Sequence, residues 1–316
     1  MRLLPTPTDI DPVLAASVAR YCAAGTSNNT TRAYSSAWRS FEGWCARRGL
    51  TSLPALPLTV AAYLADRASE LRPSSLGVHV AAIHQGHRAR GYDSPTSSPE
   101  VLGVFKGVRR EHGVAPNKKR AMTPGEIIRM VGQLGTRPRD RRDRALLLLG
   151  FCAGFRRSEL VGLDVVDVIF RDKGLLVQLR RSKTDQEQQG RIVAVEYGAR
   201  AETCPGSALE DWLATAGIKG GPIFRAIDRH DNVSSRRLDG RAVARVVQGR
   251  AAEAGLTTKN LAGHSLRSGL ATAAAQAKVD ERDIAERTGH RNLGVLRGYI
   301  HSVDPFEAAL TQRLGF

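Results

Sequence analysis

Apolar residues in the first third of the chain recur at steps of three and four. In "TTRAYSSAWRSFEGWCARRG", residues 30–49, Tyr34, Trp38, Phe41, Trp44 and Cys45 form one stripe and Gly49 ends the run, the period of an amphipathic helix. A second helix follows "LPLT" with Val60, Tyr63 and Leu64 inward. A third starts at Ser74 or Ser75 and runs through Leu76, Val80 and Ile83 to Gly91, and a fourth begins after Pro99 with Leu102 and Phe105 inside. Together they predict a small all-helical domain over residues 13–112. In "EHGVAPNKKRAMTPGE", Gly113, Pro116 and the cluster Lys118, Lys119, Arg120 read as an exposed linker, residues 113–121. Thr123, Pro124 and Glu126 then supply an N-cap, a first-turn proline and a capping-box acid. A second domain is therefore expected over residues 122–316.

The pattern changes in that second domain. "DRRDRALLLLGFCA" reads as a buried helix that breaks at Gly154. "DVVDVIF", "LLVQL" and "RIVAV" alternate or are β-branched, "RDKG" makes a tight turn between the first two, and the polar loop "RRSKTDQEQQG" joins the last two. Helices resume at about Ala208, Gly240, Ser265, Asp280 and Asn292. The fold class is mainly α (α+β): an all-helical domain, then a mostly helical one with a small antiparallel sheet. There is no internal repeat, no glycine-rich phosphate loop and no acidic cluster of the kind that holds magnesium.

Composition narrows the function classes. A 42% hydrophobic fraction excludes a wholly disordered chain. No apolar run reaches the roughly 18 residues of a membrane span, and no signal-type apolar segment follows "MRLLPTPTDIDP". A soluble, cytoplasmic protein is expected. The cysteines, Cys22, Cys45, Cys152 and Cys204, form no CxxC pair and read as small buried apolar residues. His84 and His87 have helix-face spacing but no third ligand nearby, so no metal is expected. Charge adds more: 47 Lys and Arg against 31 Asp and Glu give +16, with the excess in both halves of the chain. That balance favours a polyanionic partner, of which nucleic acid is the commonest.

Four places carry candidate chemistry. "AGFRRSELVGL" has Arg156 just past the helix break, with Glu159 three residues on. The polar loop holds Lys183 beside Arg180 and Arg181. "AGHSLRSG" sets His264 and Arg267 on one face at the start of an alanine-rich helix, and "TGHRNLGVLRGYIH" sets His290 nine residues ahead of Tyr299. Two arginine forks match the non-bridging oxygens of a phosphate. Histidine can move a proton near neutrality, and a lysine among cations can protonate a leaving alkoxide. Tyrosine is ionised to only about one part in a thousand at neutral pH, and surrounding arginines would make it a usable nucleophile. A phosphotyrosine ester keeps the energy of the broken phosphodiester, so a second hydroxyl can reseal the strand without ATP, metal or other cofactor. Singly, each feature is equally an ordinary solvated or ion-paired side chain. The ordered set is what points to reversible transesterification of DNA.

In that order the residues resemble the tyrosine recombinases of the phage integrase family, and "RSFEGWCARRG" and "LPALPLTVAAYLADRA" give the N-terminal part a Cre-like character. The resemblance runs from about residue 13 to the end. It implies Arg156 and Arg267 as phosphate clamps, Glu159 as the acid supporting the first, Lys183 as general acid for the 5′-hydroxyl, His264 as acid/base, His290 as hydrogen-bond partner of the phosphate, and Tyr299 as the nucleophile forming a 3′-phosphotyrosine. Arg157 stands where the family usually has an apolar residue, and His301 fits no motif. The resemblance further implies a core-binding domain whose Arg32, Ser36, Arg39, Ser75 and His79 could contact DNA, with Arg241 as a base-contacting arginine of the catalytic domain. It also implies a C-shaped clamp on double-stranded DNA, a tetramer on two target sites, and a C-terminal helix bearing Phe306, Ala309, Leu310 and Leu314 that could dock on a neighbouring protomer. Two other readings fit the motifs: a catalytically silent DNA-binding regulator, and a type IB topoisomerase-like strand passer.

Overall fold

The aromatic stripe of the first third becomes the centre of one unit of the protein. In the computed structural model the chain divides into two compact units, Met1–Pro116 and Asn117–Phe316. The structure describes residues 11–115, 119–180 and 190–300, with 312 and 314 beyond them; for residues 23, 24, 28, 299 and 300 it describes the backbone alone.

The first unit contains α1 (Pro12–Ala24), α2 (Asn28–Arg47), α3 (Pro57–Arg67), α4 (Pro73–Arg88) and α5 (Pro99–Glu111). Prolines open α3, α4 and α5, where a missing N–H costs nothing. Phe41, Trp44, Tyr63, Leu64, Leu76 and Ile83 make the core. Phe41 and Trp44 meet the Tyr63 ring edge-on at 5.1 and 5.3 Å between centroids, a favoured aromatic geometry. The polar tips are satisfied too: Trp44 Nε1 donates to Asp66 at 2.8 Å, and the Tyr63 hydroxyl meets Ser40 Oγ at 3.1 Å and His79 Nδ1 at 2.7 Å. His87 is fully buried. Its Nε2 accepts the Ala55 N–H (2.9 Å), so its other nitrogen, Nδ1, carries the proton toward Ile83 O (2.8 Å). His87 is thus a neutral structural bridge, and His84 points instead to the surface.

Three expectations need correcting here. Leu102, expected inside, is 55% exposed, whereas Phe105 packs against the core as expected and Val101 and Val108 are buried. The helix α1 was not anticipated; Val13, Leu14, Val18 and Tyr21 all lie exposed on it, so no buried stripe marks it in the sequence. Cys22 on the same helix is exposed, whereas Cys45 and Cys204 are buried.

The second unit contains α6 (Pro124–Gly132), α7 (Pro138–Cys152), α8 (Arg157–Gly162), β1 (Val168–Arg171), β2 (Gly174–Leu179), β3 (Arg191–Glu196), α9 (Pro205–Thr215), β4 (Arg225–Ile227), β5 (Val233–Arg237), α10 (Gly240–Glu253), α11 (His264–Gln276), α12 (Glu281–Thr288) and α13 (Leu293–Ile300). The capping box forms as the sequence predicts: Thr123 Oγ1 accepts the Glu126 N–H, and Glu126 Oε2 accepts the Thr123 N–H. Arg120, expected in the linker, is instead bound into this unit, donating from its backbone to Asn260 O at 3.0 Å and from its guanidinium to Glu126.

Helix α7 is buried along most of its length and forms the axis of the unit. A Cβ on Gly150 would lie 2.9 Å from Leu160 and from Leu266, and one on Gly269 would overlap the Met122 carbonyl. Both glycines let α7, α8 and α11 approach closely. Strands β1, β2 and β3 pair antiparallel in that order, with Arg171 opposite Gly174 at the tight turn and Leu179 opposite Arg191 where the polar loop departs. A second sheet, β4 against β5, was missed in the sequence, where a single sheet was expected.

Candidate functional site

The site is built where α7 ends. Gly154 takes a left-handed φ of +62°, which turns the chain so that Arg156 precedes the first turn of α8. Glu159, buried in that turn, accepts the Arg156 backbone N–H at 2.9 Å and its guanidinium at 2.6 Å. One carboxylate therefore caps the helix and fixes the arginine. The other guanidinium nitrogen of Arg156 donates to Gly289 O at 3.2 Å, across 133 residues of sequence.

Arg267, in the first turn of α11, is 1% exposed. It donates to Gly154 O at 2.9 Å and also to Thr288 O. A third arginine arrives from the first residue of β3: Arg191 donates to the carbonyls of Glu286 (3.0 Å), Arg287 (2.9 Å) and Thr288 (3.4 Å), and lies 3.8 Å from Glu159. All three guanidinium groups converge on the C-terminus of α12. The unmatched carbonyls of a helix end carry partial negative charge, so cations collect there. Gly289 closes the helix in the left-handed conformation, φ +67°, and the next residue is His290.

Burial, with Arg267, Arg156, His264 and Arg191 around it, pushes His290 down to about 3. His264, at the surface of the first turn of α11, is also held below the usual histidine value, by partial burial and then by Arg267, Arg156 and Arg157. Both imidazoles are neutral at neutral pH among fixed positive charges, an arrangement that suits an anion between them. Arg157, exposed at the start of α8, adds to this field.

The structure thus brings Arg156, Glu159, His264, Arg267 and His290 together. Tyr299 lies in α13, a helix held by the fully buried Leu296 against Ala271, Ile284 and Ala285 of α11 and α12; its side chain lies outside what is described. Lys183 lies outside the described residues, as do His301, Phe306, Ala309 and Leu310. Arg32, Ser36, Arg39, Ser75 and Arg241 are exposed, while His79 is half-buried with Nδ1 engaged by Tyr63. Sequence reasoning missed Arg191 and Thr288. Arg191 opens a strand of otherwise ordinary pattern, and nothing local shows that it reaches across 95 residues or more. Among the described residues, no group of three or more His, Cys, Asp or Glu side chains could hold a metal ion, and no helix is long and apolar enough to cross a membrane.

Residues 120–305 match the phage integrase family. The chain is 34% identical over 293 residues to the integrase/recombinase xerD homolog of Selenomonas ruminantium, spanning 91% of this chain and 86% of that protein. It is 25% identical over 308 residues to recombinase cre of Escherichia phage P1, spanning 91% and 88%. Among solved structures, a lambda integrase (75–356) dimer bound to a COC' core site shares the fold at a TM-score of 0.60 and 15% identity, over 92% of this chain and 95% of that one. XerH bound to palindromic difH substrate, a post-cleavage complex, does so at 0.59 and 18%, over 82% and 71%. With the family match covering more than half the chain and the arginine–histidine constellation in place at the end of α12, this chain is a member of the phage integrase family, the tyrosine recombinases.

Proposed function

We propose that the protein is a site-specific DNA recombinase that cuts and rejoins strands through a 3′-phosphotyrosine intermediate. The observation that carries this is the meeting of Arg156, Arg267 and His290 at one helix end, with Glu159 buried beneath them. In the proposed step the Tyr299 hydroxyl oxygen attacks the scissile phosphorus and its proton passes to a base, for which His264 is the candidate. The bond from phosphorus to the 5′ oxygen breaks, and Lys183 supplies the proton that makes this oxygen a hydroxyl. Arg156 and Arg267 neutralise the charge on the non-bridging oxygens, and His290 hydrogen-bonds the same phosphate. Attack by another strand's 5′-hydroxyl reverses the sequence and completes exchange. Since an ester is exchanged for an ester, no ATP is consumed.

The N-terminal unit is proposed as the core-binding domain, with Arg32, Ser36, Arg39, Ser75 and His79 toward the duplex, and the C-terminal unit as the catalytic domain, with Arg241 toward the bases. Double-stranded DNA is the partner, four protomers act on two sites, and the work is placed at the nucleoid in the cytoplasm. The structural neighbours support a DNA partner, since XerH was solved bound to difH substrate and lambda integrase bound to a core site.

The proposal is tested with a plasmid carrying two copies of a site recovered from DNA flanking the gene. Wild type is expected to delete or invert the segment between the copies. Arg267→Ala is expected to retain binding but not exchange. Relaxation of supercoils by a monomer without exchange would favour the topoisomerase-like reading, and activity as a DNA-binding regulator unchanged by Tyr299→Phe would favour the silent one.

A further inference from the structure

Thr288, the last residue of α12, makes contacts with consequences for the histidine two residues on. Its side chain is fully buried. The hydroxyl oxygen lies 2.5 Å from Ile284 O, 3.5 Å from Ala285 O and 2.7 Å from His290 Nδ1. A hydroxyl has one hydrogen and two lone pairs. Ile284 O can only accept, so the short contact to it takes that one hydrogen, the back-bond to the i−4 carbonyl open to threonine in a helix. Toward His290 the hydroxyl oxygen is then an acceptor, and Nδ1 must bring the proton.

We infer that Thr288 is a positioning residue for the recombination chemistry: it holds neutral His290 as the Nδ1–H tautomer and leaves Nε2, with its lone pair, as the ring nitrogen that meets substrate. The hydrogen bond made by one ring nitrogen decides what the other can do. The backbone reinforces the placement. The His290 N–H donates to Ala285 O at 2.9 Å, and the Thr288 carbonyl receives Arg267 and Arg191. One residue therefore ties the second phosphate clamp through its carbonyl and sets the histidine through its hydroxyl. A proton taken up from solvent as the phosphate anion binds would make Nε2 a donor to a phosphate oxygen, with Nδ1–H still held by Thr288, so the ring does not turn between the two states.

The role in recombination rests on the function proposed above; the tautomer does not, and the first experiment needs no DNA. The full chain carrying ¹⁵N-histidine is examined by long-range ¹H–¹⁵N correlation at neutral pH, with the His290 signals assigned by their loss in His290→Asn. Wild type and Thr288→Ser are expected to show a protonated-type Nδ1 and an unprotonated-type Nε2. Thr288→Val, close in shape but without the hydroxyl, is expected to move to the Nε2–H form. An Nε2–H tautomer in wild type overturns the inference whether or not any variant folds, and so does a folded Thr288→Val that keeps Nδ1–H. On a recovered target site, Thr288→Val should form covalent complex more slowly, on the order of tenfold by analogy with other residues that orient an active histidine. DNA affinity should be unchanged, and Thr288→Ser should restore the rate. Equal rates in Thr288→Val and wild type would overturn the catalytic part. Absence of covalent complex in wild type would instead count against the proposed function and leave the tautomer result standing.

Discussion

Glu159 holds two arginines of the site with one carboxylate, and it is nearly out of reach of water: its side chain is 1% exposed, 2.6 Å from Arg156 and 3.8 Å from Arg191. Removing one partner of a buried pair leaves the other charge without compensation, which costs about 3–5 kcal/mol. Glu159→Ala is expected to lose stability of that order in urea titration, and a change under about 1 kcal/mol would show the pair to be unimportant. The histidines make a pH prediction. An unfolded chain takes up these protons near pH 6.5. Folded His290 resists until about 3, and folded His264 is shifted the same way. Below about 6.5 the unfolded state thus binds more protons than the folded one, so stability is full above that value and is lost as pH falls toward 3. The melting temperature of wild type should fall more steeply between neutral and acid pH than that of His290→Asn; parallel curves would contradict the assignment. At this scale the sequence was most legible for residues that sit in compact motifs. Arg156, Glu159, His264, Arg267 and His290 each stand beside a helix start or stop that can be read locally. Arg191 and Thr288 act through contacts with distant carbonyls or through one hydroxyl lone pair, which no local pattern records.

Helix α12 illustrates how an element can serve a site. It is short, its polar surface is large, and its C-terminus receives guanidinium groups from Arg156, Arg267 and Arg191. Gly289 is required there twice over: φ is +67°, and an added Cβ would lie 2.9 Å from Arg191 Cζ. Gly289→Ala is expected to cost about 1–2 kcal/mol for the left-handed backbone alone, with further loss of DNA cleavage as His290 shifts. Wild-type melting behaviour would contradict this reading. Long helices with a buried stripe, α2, α3 and α4, and the β2–β3 pair were legible because burial imposes their periods. The pair β4–β5 was not. Its residues, "RAI" and "VSSRR", do not alternate; the paired Ile227 and Val233 pack against the core, and Arg237 reaches Asp164 at 2.6 Å. In α5 the inward Phe105 was legible but Leu102 was misplaced, because Val101 and Leu102 are adjacent apolar residues and only packing decides between them.

Across the whole molecule the excess of +16 is a statement about partners. A protein that neutralises several phosphates releases as many counterions, and between 50 and 200 mM salt its DNA affinity falls by roughly 10³-fold or more. The same steep dependence is expected here on duplex DNA, and a flat one would mean that the arginines are only a solvated surface. The C-terminal segment makes a second prediction at this scale. If residues 305–316 dock on a neighbouring protomer, their deletion should spare binding to a single site and abolish pairing of two; unchanged pairing would remove the segment from assembly.

The most direct test of the account is covalent trapping. Wild type and Tyr299→Phe are incubated with fragmented DNA from around the gene, the mixture is denatured, and DNA-linked protein is sought. A link is expected in wild type alone, at a tyrosine, with the trapped fragments sharing one site. A link of equal yield in Tyr299→Phe, or salt-sensitive binding in both proteins with no link in either on DNA shown to contain the site, would contradict it.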